Sequence, residues 1–107
     1  MKDDRKFILF GAGVIGQQFF KLLGPDNVYC FADNHKAGQM FCNKKVISFD
    51  ELKDIHTQYR LLLTVSKDFY ADIERQCKQH QISFEPLLDD SVPHCILHNN
   101  CARVKAL

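Results

Sequence analysis

The feature that most constrains this chain is a corner. An apolar run, KFILF at residues 6–10, ends in Gly11 and passes through Gly13 and Gly16 into a segment of different periodicity. The run before the glycines is short and continuous, as in a strand of a parallel sheet buried on both faces. After them, Val14, Ile15, Phe19, Leu22 and Leu23 recur at nearly helical spacing until Gly24-Pro25 stops the pattern. The glycines complete G-x-G-x-x-G, a pattern that is weak alone and gains weight where a strand enters it and a helix leaves it.

The remaining chain repeats that alternation. Residues 27–32 (NVYCFA) read as a second strand, and residues 33–45 as an irregular connection turning at Gly38. Val46-Ile47 form a short third strand. Ser48 precedes Glu51 in the capping-box arrangement and starts a helix reaching about His56. Residues 59–65 (YRLLLTV) give a fourth strand, and residues 66–81 a helix with Phe69, Tyr70, Ile73 and Cys77 on one face. Residues 82–88 (ISFEPLL) give a last edge strand, shortened by Pro86. The expectation is a three-layer α/β, Rossmann-like parallel sheet with strand order 3-2-1-4-5 over residues 1–88, and a tail or linker over 89–107.

Composition bounds function. With 107 residues, 46% hydrophobic and 25% charged, the chain suits one globular domain with little to spare for a separate catalytic one. A formal net charge of +1 without a basic block argues against nucleic acid. No apolar run approaches the roughly 20 residues of a membrane span, and no signal-peptide core follows MKDDRK, so a cytoplasmic setting is expected. The five cysteines are odd in number and lack a CxxC pair, which reads as free thiols.

The corner predicts a ligand site. Gly11 would allow the tight turn, Gly13 the approach of a diphosphate, and Gly16 close packing of helix on strand. The amides of Val14 and Ile15, beside Ala12, would face phosphate oxygens at the positive end of the helix dipole. Asp33, followed by Asn34, ends the second strand where a carboxylate can accept from a ribose diol or a base edge, and it would repel a 2′-phosphate. NAD(H) is therefore expected over NADP if the ligand is a dinucleotide. Because such sheets bind ligands at the crossover point, Thr64, Val65 and Ser66 should face the glycine turn, with Lys67 in reach of a phosphate. Helix capping would equally account for Thr64 and Ser66. A glycine turn serving only as a structural corner is the competing account of the whole motif. His35 could stack on a base, and Lys36, Lys44 and Lys45 could attract phosphates, although charged loop residues are usually only solvated.

The stretches FGAGVIGQQF, CFADN, K-x-G-x-x-F-C, VISFDEL and LLLTVS together resemble the small Rossmann-like domains of bacterial surface-polysaccharide proteins. Those domains accompany sugar O-acyltransferases, epimerase/dehydratases, methyltransferases and glycosyltransferases. The resemblance implies a nucleotide-sugar ligand such as a UDP-sugar at Gly11, Gly13 and Asp33. It departs at Asn43-Lys44-Lys45, where that pattern usually has a glycine.

No catalytic constellation is visible. The residues four after Tyr29, Tyr59 and Tyr70 are Asp33, Leu63 and Glu74, so none completes the Tyr-x-x-x-Lys of a short-chain dehydrogenase. His94, Cys95, His98 and Cys101 gather near the end without a recognised metal-ligand spacing. The partners left open are a small-molecule nucleotide, a second copy of the chain, or an additional catalytic domain.

Overall fold

A computed structural model describes residues 4–85. The expected last strand beyond residue 85, the 89–107 tail and its histidines and cysteines lie outside the described residues.

The corner forms as its pattern requires. Strand β1 (Phe7–Phe10) enters it and helix α1 (Val14–Leu23) leaves it. A 3₁₀ turn at Pro25–Asn27 leads to β2 (Val28–Ala32). A two-residue strand β3 (Met40–Phe41) turns back on β4 (Lys44–Ile47). Helix α2 (Phe49–Ile55) is capped by the Ser48 hydroxyl, which accepts from the Glu51 amide at 3.1 Å, and a 3₁₀ turn follows. Strand β5 (Arg60–Leu63) then feeds helix α3 (Lys67–Gln79).

Among the described residues the sheet has five strands in the order β3-β4-β2-β1-β5, and all neighbours are parallel except β3 with β4. This corrects the expected order 3-2-1-4-5 at both edges. At one edge, the supposed irregular connection contains an extra antiparallel strand. Its hairpin turn rests on Cys42 and Asn43, both at positive φ (53° and 62°), the conformation that tight two-residue hairpins demand. No glycine advertises that turn, so the sequence concealed it.

At the other edge, residues 82–85 form no strand. They still run beside β5: the Glu85 amide donates to the Leu61 carbonyl at 2.8 Å, and its carboxylate pairs with Arg60 at 3.0 Å. Ile82 is buried, anchoring the segment.

Alternation along the strands builds two cores, one on each face of the sheet. Phe7, Leu9, Val28, Phe31 and Val46 pack with Phe19 and Leu23 of α1. Ile8, Phe10, Cys30, Ala32, Ile47, Leu61 and Leu63 pack with Phe49 and Leu52 of α2 and Cys77 of α3. A register shift between Phe7 and Ile8 leaves Tyr29 as an extra residue in β2, so that Tyr29 and Cys30 both serve the second core. Burial pushes the Cys30 thiol up to about 12 and the Cys77 thiol to about 11, which makes both inert core filler. No helix among the described residues is long and apolar enough to cross a membrane.

Candidate functional site

Strands β1 and β5 are neighbours that lead to helices α1 and α3, so their carboxyl ends bring two helix amino ends together. A cleft of about 440 Å³ opens there, a size suited to a small ligand. Among the residues expected at the site, Gly11, Ala12, Gly13, Val14, Ile15, Asp33, Asn34, Thr64, Val65 and Ser66 line it. Gly16 does not, because it lies buried behind the turn. Lys67 is exposed and outside the lining, and Lys44 and Lys45 belong to β4.

The three glycines separate by what surrounds them. Gly11 has φ +124°, and a Cβ there would stand 2.6 Å from the Thr64 carbonyl oxygen. A Cβ on Gly16 would collide with the Gly11 carbonyl oxygen. Both glycines are therefore fixed by the protein's own packing. At Gly13 a Cβ would meet nothing within 4 Å, and its φ of −140° suits any residue. Nothing in the fold requires a glycine at this position.

Gly13 is also the N-cap residue of α1 and supplies no side-chain hydrogen bond, where Ser, Thr, Asp or Asn would satisfy a free helical amide. Ser66 is the N-cap of α3, yet its side chain makes no capping bond either. Both helices therefore open on the cleft without a capping side chain.

The remaining polar groups hold the turn. The buried Thr64 hydroxyl lies 3.1 Å from the Phe10 carbonyl and 3.2 Å from that of Gly11, sharing one proton between them. It caps nothing and ties β5 to the end of β1. Asp33 is already engaged within the protein. Its Oδ2 accepts from the Ala12 amide at 2.9 Å, and its Oδ1 from the amides of His35 (2.8 Å) and Lys36 (3.2 Å). The carboxylate first organises the turn, and only its remaining lone pairs can meet a ligand. Lys36 completes the grip, its ammonium donating to the Ala12 carbonyl at 2.7 Å. The loop after β2 thus holds both polar groups of the residue between the first two glycines.

One wall is apolar. Phe69, expected on the core face of α3, is instead 61% exposed and lines the cleft with Ile73, while Tyr70, Ile73 and Cys77 carry the core contact. Phe69 sits one position before Tyr70, about 100° around the helix, and in the first turn it overhangs the end of the sheet. Val14 is 72% exposed on the facing helix. Asn34 is tied to α3 by its amide, which donates to Gln76 Oε1 at 3.0 Å. Gln76 was not apparent as a site residue, since it lies ten positions beyond Ser66.

An open α/β domain with a cleft across the carboxyl ends of its central strands is the class that fold and site define. Residues 3–86 match the family described as C2185-like, N-terminal, and the chain belongs to that family. This membership overturns the resemblance to the polysaccharide-biosynthesis domains, which rested on order and spacing that an α/β corner of this kind produces by itself. No curated protein and no solved structure gives a significant match.

Proposed function

We propose that the cleft binds a phosphate-bearing nucleotide, either a nucleotide-sugar or NAD(H), with its phosphates at the amino end of α1 and its flat base toward Phe69 and Ile73. The observation that carries the reading is Gly13. A structural corner accounts for Gly11 and Gly16 and leaves Gly13 without a purpose, whereas a phosphate approaching the backbone accounts for it directly. The missing side-chain cap supports the same reading, because a capping side chain there would occupy the place of the anion.

The remaining lone pairs of Asp33 would accept from a ribose diol, and its charge would oppose a 2′-phosphate. Ser66, His35 and Asp33 line the cleft without a hydrogen bond that pairs a nucleophile with a base, so the role supported is holding a ligand. The word N-terminal in the family's description supports a module that presents its nucleotide to a further domain.

Thermal unfolding in the presence of UDP, UDP-N-acetylglucosamine, NAD and NADH tests the reading. A ligand that binds only the folded state adds about 2.7 kcal/mol at a hundredfold excess over its Kd. A shift with any of the four supports the proposal and selects the ligand class. Absence of a shift with all four at millimolar concentration would favour a ligand-free corner.

A further inference from the structure

We infer that Lys36 is a phosphate ligand and that the cleft selects a diphosphate over a monophosphate. This rests on the nucleotide reading above and names the anion that the site is built to take. Among the cleft-lining residues, Lys36 is the sole lysine or arginine. Among the described residues, no carboxylate pairs with it. One of its three ammonium protons goes to the Ala12 carbonyl, 2.7 Å away, which leaves two donors.

Charge decides why that lysine matters. Asp33 lines the same cleft and its carboxylate opposes any anion. The two helix amino ends contribute about +0.5 elementary charge each, which only offsets Asp33. Without Lys36 the site is therefore close to neutral, and the second phosphate of a diphosphate has nothing to draw it. With Lys36 a full positive charge is held beside the turn by its hydrogen bond to the Ala12 carbonyl. Lysine is suited to this as a compact charge with rotatable donors.

Isothermal titration of the full chain and of Lys36→Met and Lys36→Arg with ADP, AMP, UDP and UMP tests the inference. The wild type should bind the diphosphate of at least one base about tenfold or more tighter than its monophosphate, a margin of about 1.4 kcal/mol. Lys36→Met should lose that margin, its diphosphate affinity falling to the level of its monophosphate affinity, and Lys36→Arg should retain most of it. Diphosphate affinity unchanged in Lys36→Met, or equal loss of mono- and diphosphate affinity, would overturn the inference and leave the nucleotide reading standing. Absence of binding of all four to the wild type would overturn the inference, and the nucleotide reading falls with it when NAD, NADH and UDP-N-acetylglucosamine also leave the melting temperature unmoved.

Discussion

At the scale of single residues, the glycine turn contains two kinds of glycine, and mutation should separate them. Gly16→Ala forces a Cβ onto the Gly11 carbonyl and should cost roughly 2–3 kcal/mol, read from the urea midpoint. Gly13→Asp should do the reverse. It adds a capping carboxylate at a helix amino end and removes the freedom of glycine from the unfolded chain, raising stability by up to roughly 1 kcal/mol. The same substitution places a negative charge where the phosphate is proposed to sit, so nucleotide affinity should vanish as the melting temperature rises. A Gly13→Asp protein that gained stability and still bound nucleotide would place the phosphate elsewhere. Asp33→Ala is a poorer probe, because the carboxylate accepts from three backbone amides and its loss would loosen the turn itself.

At the scale of elements, the order of strands and helices was legible wherever periodicity and punctuation agreed. The run before Gly11, the Gly24-Pro25 stop and the Ser48 cap all fell where the sequence placed them, because each is a local signal. The β3–β4 hairpin was not legible, since its turn is made by Cys42-Asn43, residues that adopt positive φ only at a cost. That cost is a prediction. Asn43→Gly should stabilise the hairpin by roughly 0.5–1 kcal/mol, seen as a higher urea midpoint at unchanged slope. Phe69 misled for a related reason: helical periodicity assigns it a face but not a depth, and its place in the first turn of α3 puts it beyond the sheet. The site residues contributed by strand ends were foreseeable from the crossover rule, whereas the Asn34–Gln76 bridge depends on how α3 lies against the loop after β2.

At the scale of the whole molecule, the buried thiols set an alkaline limit. Cys30 and Cys77 titrate near 12 and 11 in the folded protein against an ordinary value of 9.0, and desolvation by burial is the leading cause for both. Each folded thiol holds its proton more tightly than the unfolded one. Their contribution is fully present below pH 9 and is lost as pH rises from there toward 11–12. Above pH 9 each thiol should remove about 1.4 kcal/mol per pH unit until its own folded value is reached. Urea titrations at pH 8, 9 and 10 check the slope, and the double variant Cys30→Ala/Cys77→Ala should flatten it.

The Thr64 hydroxyl, which reaches the Phe10 and Gly11 carbonyls, closes contacts 54 and 53 positions apart along the chain. Pairing β5 with β1 is a distant closure, dearer in loop entropy than joining β1 to β2 through α1 or β2 to β4 through the hairpin. The cleft is built across that seam. A nascent chain could hold β1, α1 and β2 in place and still have no second wall, so nucleotide capture would report that β5 has docked.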